Sequence, residues 1–401
     1  MRMQFRFNIL TVLTCLIFNT SFADNNVNEL TVIAGGDVEW SGQLKPTDYY
    51  FGVEDKKSRA TNSGARRLPL IANQANIKHL ATKYKRYIDK EKDTCHFESA
   101  NNYIKLADTD KNPFIKLTST LSSADITFVN LETPLSGTAR NSGKFRTPTS
   151  FAHKIAGSGI DIVSTANNHA FDAEGEGIID TIQALNSAGI KYVGTGKNIA
   201  EATRPYIFQK KGLKVAFLAY TYGVNPTSLD MGFATPNRSG AAPLDVFLIK
   251  EDIKKLKKQV DFIILSLHWG NENVFTIHPD YRDIAHEFVD VGANIIIGHH
   301  PHVPKGVESY NGALIAYSLG NFIFSHNHDY WGDNILLKMS LSKNKPIKAE
   351  LIGVAGKATD LYQPFVLTGE RAMTLLEEVK QRSLKLDTNV VIKGGIGVVQ
   401  I

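Results

Sequence analysis

Three histidines occur within four residues, at positions 299, 300 and 302. They follow an apolar segment, residues 294–297, which predicts a strand buried on both faces, and Gly298 and Pro301 prevent a regular continuation of that strand. Neutral imidazole is a common ligand for zinc-like cations, so His300 and His302 could bind one metal ion. A solvated loop without a ligand is the alternative interpretation of this segment.

Other side chains that can bind metals follow the ends of other predicted strands. Four such segments, each apolar or β-branched, are followed directly by Asp37, by Glu132, by Asn168 with His169, and by His268. Taken singly, each has a structural explanation, such as a helix cap for Asp37 or a turn residue for Asn168. In open α/β sheets, however, ligands bind outside the carboxyl ends of the strands. The recurrence in five loops therefore predicts one shared site at the edge of a parallel sheet.

The segments that carry these residues alternate between strands and helices. The pattern predicts strands at residues 29–34, 125–130, 160–164, 190–193 and 262–267, and helices at 151–156, 174–188, 247–259 and 279–291. It also predicts hairpins around Lys210-Lys211-Gly212 and Asn311-Gly312, with two strands and a helix in the tail, near 336–341, 347–352 and 368–381. This alternation is typical of parallel crossovers in an α/β protein.

Composition limits the possible functions. The chain has 401 residues, of which 43% are hydrophobic, enough to bury a large core. The formal charge of +5 is too small an excess for a dedicated nucleic-acid binder, although it could favour an anionic substrate. Residues 41–115 are polar, lysine-rich and weakly periodic, and we interpret them as an insertion into a single domain that spans residues 24–401.

The N-terminus predicts a secretory signal peptide. Arg2 and Arg6 precede a short apolar run, and Ser21-Phe22-Ala23 provides small residues before a cleavage site. We therefore expect residues 1–23 to be removed and the mature chain, which has no other segment apolar enough to span a membrane, to reach the periplasm or the cell surface. Attachment as a lipoprotein through Cys15 is the less favoured alternative. Once residues 1–23 are removed, Cys95 is the single cysteine of the mature sequence, so we expect no internal disulfide.

Seven short motifs occur in order along the chain: Gly-Asp37, Asn130-Leu-Glu132-Thr-Pro, Asn167-Asn168-His169 with Asp172, Gly189-Ile…Gly194-Thr-Gly196, His268-Trp-Gly-Asn-Glu272, Gly298-His-His-Pro-His302 and Ser318-Leu-Gly-Asn321-Phe. In this order they resemble the CapA family of poly-γ-glutamate capsule synthesis proteins, across residues 30 to about 365. That family is similar to the calcineurin-like metallophosphoesterases. The resemblance implies an α/β fold, a four-layer α/β/β/α sandwich, with a two-metal centre.

The resemblance also implies roles for individual residues. It implies metal ligands at Asp37, Glu39, Glu132, Asn168, His268, His300 and His302. Glu39 stands in the place of a histidine, and Glu132 would be the carboxylate that bridges two ions. His169 would be the catalytic proton donor. One residue is inserted in the Gly-His-x-His motif, so either His299 or His300 could be the working imidazole, and Glu272, Asn321 and Arg204 could contact substrate or support the ligands.

These roles imply one or two divalent metal ions, with Mn, Fe or Zn equally suited to oxygen and nitrogen ligands. The bound ions would activate a water and hold an anionic substrate, while His169 protonates the leaving group. We therefore expect an exported metal-dependent hydrolase of an anionic polymer or a phosphoester, working near the envelope biosynthesis machinery. The alternative is a factor that binds, assembles or exports the polymer without catalysis. A purely structural surface protein is a weaker third option.

Overall fold

The computed structural model describes residues 29–40, 112–137, 145–224, 232–324 and 331–401. The predicted signal peptide, Cys15, Cys95, most of the 41–115 insertion, and the two histidines at 326 and 328 lie outside these residues. Phe114, near the end of that insertion, is described and is buried in the core. No helix within the described ranges is long and apolar enough to cross a membrane.

The described elements alternate as the sequence predicted. The strands are β1 (Leu30–Glu39), β2 (Ile126–Leu131), β3 (Ile162–Ser164), β4 (Lys191–Val193), β5 (Thr195–Gly196), β6 (Tyr206–Lys210), β7 (Leu213–Thr221), β8 (Gly240–Ala241), β9 (Phe262–His268), β10 (Ile295–His299), β11 (Val307–Tyr310), β12 (Ala313–Ala316), β13 (Asn321–Phe324), β14 (Asn334–Leu341), β15 (Lys348–Val354), β16 (Val390–Lys393) and β17 (Ile396–Val399). The helices are α1 (Thr118–Leu121), α2 (Phe151–Ala156), α3 (Glu174–Ser187), α4 (Ile199–Ala202), α5 (Val246–Leu256), α6 (Pro279–Val291) and α7 (Gly369–Leu384), with a 3₁₀ turn at Ala358–Tyr362.

The strands of the described residues form two large sheets and a small ribbon. The first sheet has the order β16-β17-β15-β14-β1-β2-β3-β4, and β13 also pairs with β1. From β1 to β4 its strands are parallel, whereas β14 to β17 are antiparallel. The second sheet has the order β11-β12-β10-β9-β7-β6, with a parallel centre formed by β7, β9, β10 and β12. The strands β5 and β8 form the ribbon.

The two sheets pack face to face, and helices cover both outer faces. Phe128 of β2 stacks on Phe217 of β7 across the central layer, with ring centroids 5.7 Å apart. Alternate residues of β1 point to opposite layers, so Val32 belongs to this central core while Ile33 packs beneath α1, α2 and α3. On the other side, α5 and α6 cover the second sheet, with Phe288 in that outer core. The predicted four-layer α/β/β/α sandwich is therefore confirmed.

The sequence predicted that the first strand would end at residue 34, and this was wrong. The strand β1 continues through Gly35 and Gly36, with a register shift between residues 34 and 37, and ends at Glu39. The glycines serve a close approach by β13, because a Cβ atom on Gly36 would lie only 1.8 Å from the carbonyl oxygen of Gly320. As a result, Asp37 lies within a strand and not in a loop that follows one.

Other boundaries agree closely with the sequence pattern. The helices α2 and α6 begin and end at the predicted residues, and the hairpin at Asn311 and Gly312 has positive φ at both positions, 48° and 77°. The sequence analysis did not predict the C-terminal strands β16 and β17. The strand β10 extends two residues further than expected, so His299 belongs to the strand.

Candidate metal centre

The predicted ligands come from the carboxyl ends of strands in both sheets. Within the first sheet, Asp37 of β1 lies opposite Asn130 of β2. Within the second sheet, His268 of β9 lies opposite His299 of β10. The sequence pattern predicted a single sheet edge, but two facing sheets supply the cluster. Face-to-face packing explains the difference, since it brings the ends of both parallel regions to the same place.

Asp37 is the carboxylate at the base of the cluster and is fully buried. Its Oδ1 accepts a hydrogen bond of 2.9 Å from the Asn130 amide and lies 3.3 Å from His299 Nδ1. Its Oδ2 accepts the backbone N–H of His300 at 3.3 Å and lies 3.6 Å from His302 Nδ1. Burial raises the pKa of Asp37, but the adjacent imidazoles and the amide outweigh burial, so the net pKa is lowered. Asp37 is therefore negatively charged at neutral pH.

Glu132 directly follows β2 and is also fully buried, yet neither carboxylate oxygen has a hydrogen-bond partner among the described residues. Its Oε1 lies 3.6 Å from His268 Nε2 and 3.9 Å from His302 Nε2. Burial and the negative charges of Asp37 and Glu272 raise its pKa well above the ordinary value. A buried carboxylate without donors is costly unless a cation neutralises it.

Two sets of side chains around Glu132 have the geometry to hold cations. Asp37, Glu132 and His302 form one set, and Glu132, His268 and His300 form the other, with the ligand atoms of each set within 4.8 Å of one another. Glu132 belongs to both sets, as a carboxylate that bridges two ions must. The bridging role itself stays a prediction.

Two histidines of the cluster, His268 and His300, favour the neutral form that binds metals. Burial, followed by the neighbouring histidines, lowers the pKa of His268 well below 6.5. Burial also lowers the pKa of His300 to about 4, although Glu272 and Asp37 oppose that shift. His268 Nε2 lies 2.8 Å from Asn168 Oδ1, which places Asn168 beside the cluster, as the sequence predicted.

The turn after β10 has an unusual backbone. His300 and His302 have positive φ angles of 94° and 57°, a region that residues other than glycine rarely adopt. His302 Nδ1 donates to Asn321 Oδ1 at 2.9 Å, which directs the other ring nitrogen of His302 toward Glu132. Of the two alternatives left open by the sequence, His300 belongs to the metal-binding sets, whereas the buried ring of His299 lies against Asp37. Strained backbone of this kind is often found at functional sites.

His169, the predicted proton donor, is held by two neighbours. Its Nδ1 lies 2.7 Å from Asp172 Oδ2, and its ring stacks on Phe145 with centroids 4.0 Å apart. Asp172 also accepts the backbone N–H of Phe145, so the three residues form one unit. Sequence reasoning assigned no role to Asp172, Phe145 or Asn130. The signal for Asp172 was an aspartate three residues after a histidine, and the signal for Asn130 was its place in the motif with Glu132, whereas Phe145 gave none.

The remaining predicted residues occupy different places. Glu39 is buried and acts electrostatically on Glu132, but it belongs to no cation-binding set found in the described residues. Arg204 is exposed and interacts with the Tyr192 hydroxyl, so the structure does not bring it together with the cluster. Glu272 is exposed at the mouth of the cluster, close to His300 and His302.

The solved structures to which this chain is similar share little sequence with it. The calcineurin-like phosphoesterase YfkN from Bacillus subtilis is 13% identical, with a TM-score of 0.39, and the aligned part covers 89% of this chain and 98% of that one.

Comparison with known sequences is more specific. PGA biosynthesis protein CapA of Bacillus subtilis (strain 168) is 35% identical over 185 residues, 46% of this chain and 47% of that protein. Capsule biosynthesis protein CapA of Bacillus anthracis is 32% identical over 190 residues, 46% of this chain and 45% of that protein. This chain therefore spans about half the length of the curated relatives it matches. The profile of the family described as bacterial capsule synthesis protein PGA_cap matches residues 74–326, well over half of the sequence, and the chain belongs to that family.

Proposed function

We propose that this protein is a metal-dependent hydrolase that acts on an anionic polymer or a phosphoester in capsule or poly-γ-glutamate metabolism. Membership of a capsule synthesis family supports the pathway. The observation that carries the proposed activity is Glu132, a buried carboxylate that has no donor in the described residues and belongs to two sets of metal-binding side chains. The predicted signal peptide supports a location outside the cytoplasm, in the periplasm or at the cell surface.

The donor atoms fit divalent metal ions. Both oxygens of Glu132 and Nδ1 of His300 are buried and lack hydrogen-bond partners in the described part of the chain, so they are available to a cation. The residues that would hold the ions are Asp37, Glu132, His268, His300 and His302, with Asn168 beside them. Carboxylate and imidazole ligands without thiolate suit Mn²⁺, Fe or Zn²⁺. Such ions, when bound, supply an activated water and offset the negative charge that develops during attack.

The protein's own residues would supply the proton. Asp172 accepts the Nδ1–H of His169 and orients the ring, while the stacked Phe145 fixes the ring plane. The other ring nitrogen, Nε2, then delivers a proton to the leaving group. Asp37 has a different task, because its lowered pKa keeps a negative charge at the base of the cluster.

A role in polymer assembly or export without catalysis is the second candidate. Glu39, in the place where the resemblance implies a histidine ligand, belongs to none of the cation-binding sets of the described residues, which favours a weakened second metal position. The curated relatives are also described as biosynthesis proteins, which is compatible with either role.

Turnover by single-site variants tests the proposal. The purified chain, loaded with Mn²⁺, is assayed with bis-p-nitrophenyl phosphate and with poly-γ-glutamate. We expect His169→Ala to lower the rate on poly-γ-glutamate, whose leaving amine needs a proton, about 10²- to 10⁴-fold, without loss of bound metal. His153→Ala, on the exposed side of α2, is the matched control and should behave as the parent.

Two outcomes would contradict hydrolysis at this site. Equal rates of poly-γ-glutamate hydrolysis by the parent and His169→Ala would exclude the proposed proton donor. No turnover of either compound by the metal-loaded parent, together with binding of poly-γ-glutamate that Asp37→Asn weakens, would favour the assembly role.

A further inference from the structure

A third set of metal-binding side chains lies at the mouth of the cluster. The ligand atoms of Glu272, His300 and His302 lie within 4.8 Å of one another, as do those of the two inner sets. Glu272 is exposed to solvent, whereas Glu132 is fully buried. The three sets therefore lead from the solvent to the interior.

The loop that carries Glu272 is held against the histidine turn. The backbone N–H of Asn273 donates to the carbonyl oxygen of Pro301 at 2.8 Å, between the two histidines of the third set. The Asn273 side chain accepts a hydrogen bond of 2.9 Å from Trp331 Nε1, and Lys305 Nζ donates to the carbonyl oxygen of Thr276 at 3.0 Å. These contacts keep the Glu272 backbone beside the turn that carries His300 and His302.

The third set and the inner sets compete for the same imidazoles. A neutral imidazole has one lone pair, and it therefore binds one cation at a time. His300 also belongs to the set with His268, and His302 also belongs to the set with Asp37. His302 uses its Nδ1–H to donate to Asn321, which leaves only Nε2 for a metal. A cation held by all three outer residues consequently prevents complete ligation at both inner positions.

We propose that Glu272, His300 and His302 form an entry position, where a divalent cation binds first and from which it passes to the inner sets around Glu132. Glu272 provides the negative charge that an incoming cation meets at the surface of the cluster, and a local charge of this kind raises association rates. Each inner set contains Glu132, and one also contains Asp37. The inner region therefore offers more carboxylate charge than the entry position and should bind the cation more strongly. This proposal rests on the metal-dependent function proposed above.

The rate of metal loading tests the entry position. The full chain is stripped of metal with a chelator and mixed with Co²⁺ at low ionic strength, and intrinsic tryptophan fluorescence is followed by stopped flow. Trp331 lies 5.2 Å from the His302 ring, between ring centroids, and reports occupancy close to the cluster. We expect Glu272→Gln to load about tenfold more slowly than the parent and to bind the same number of ions at equilibrium.

Glu287→Gln is the matched control, because Glu287 is a surface carboxylate of α6 that pairs with Lys250 at 3.0 Å. It should load at the parent rate. Equal loading rates for Glu272→Gln and the parent would overturn the proposal. A smaller number of bound ions in Glu272→Gln would also overturn it, because Glu272 would then be a permanent ligand. Loading is measured without substrate, so a failure of hydrolysis and a failure of the entry position give separate results.

Discussion

Two buried glutamates in this protein have opposite surroundings. Glu308 on β11 has both oxygens satisfied, since Oε1 accepts from Arg282 at 2.7 Å and from His286 at 3.0 Å, and Oε2 accepts from the Tyr317 hydroxyl at 2.6 Å. Glu132 has no such donor among the described residues, although histidines surround it. A buried carboxylate whose hydrogen bonds are complete is a structural element. One without donors, among neutral imidazoles, is suited to bind cations.

The hydrogen bonds of Glu308 also support the cluster around Glu132. Arg282 and His286 lie on α6, so their bonds to Glu308 attach this helix to the second sheet. Tyr317 stacks on Trp269, with ring centroids 6.0 Å apart, and accepts the Trp269 indole N–H through its backbone oxygen. Trp269 directly follows His268. The Glu308 network therefore fixes the backbone next to a predicted metal ligand.

Removal of Glu308 should have the largest effect on stability. Glu308→Ala leaves the donors of Arg282, His286 and Tyr317 without their acceptor, and we expect the free energy of unfolding to fall by about 3 kcal/mol. This value is at the lower end for a buried pair because the Arg282 side chain is 34% exposed. Urea denaturation measures the change. Glu350→Ala, which removes an exposed partner of Lys338, is the control and should change stability by less than about 1 kcal/mol.

Removal of the Glu132 charge should affect metal binding instead. We expect Glu132→Gln to weaken Mn²⁺ binding about 100-fold, roughly 2.7 kcal/mol, as measured by calorimetry. In the metal-free protein, by contrast, Glu132→Gln should increase the free energy of unfolding. Because the folded protein raises the pKa of Glu132, the ionised group destabilises the fold above pH 4.5, and glutamine removes this cost at pH 7. A variant that binds metal as the parent does would remove the distinction between the two glutamates.

The dependence of stability on pH should separate the His300 imidazole from both glutamates. In the metal-free protein the pKa of His300 is about 4, below its ordinary value of 6.5, so between these values the unfolded chain binds a proton that the folded chain excludes. The free energy of unfolding should therefore decrease as the pH falls from 6.5 to 4. In the variant His300→Asn the free energy of unfolding should fall less over this pH range. Asparagine tolerates the positive φ at this position. Equal pH profiles for variant and parent would show that burial of the His300 ring does not disfavour its protonation.

Local patterns allowed much of the fold to be predicted from the sequence. Pro279 and Gly292 marked both ends of α6, and Asn311-Gly312 marked a hairpin. The continuation of β1 through Gly35 and Gly36 could not be predicted in the same way, because two glycines after an apolar run usually indicate a turn. Here they serve contacts with β13, almost 300 residues further along the chain.

The candidate site was predicted as a set of residues but not as an arrangement. Motif spacing led to Asp37, Glu132, His268, His300 and His302, which the structure brings together. It gave no indication that two sheets supply them, because the assignment of strands to sheets depends on long-range packing. Arg204 was predicted to contact substrate or support the ligands, but the structure places it beside Tyr192. Likewise, only the structure shows that both carboxylate oxygens of Glu308 accept hydrogen bonds.

The close contact between Gly36 and Gly320 has a consequence for the order of folding. The strand that carries Asp37 has its partners β13 and β14 near the other end of the chain, so its sheet cannot close until most of the sequence is available. Pairings at such a large sequence separation form slowly. We therefore expect the cluster to be assembled late, after synthesis has passed residue 341.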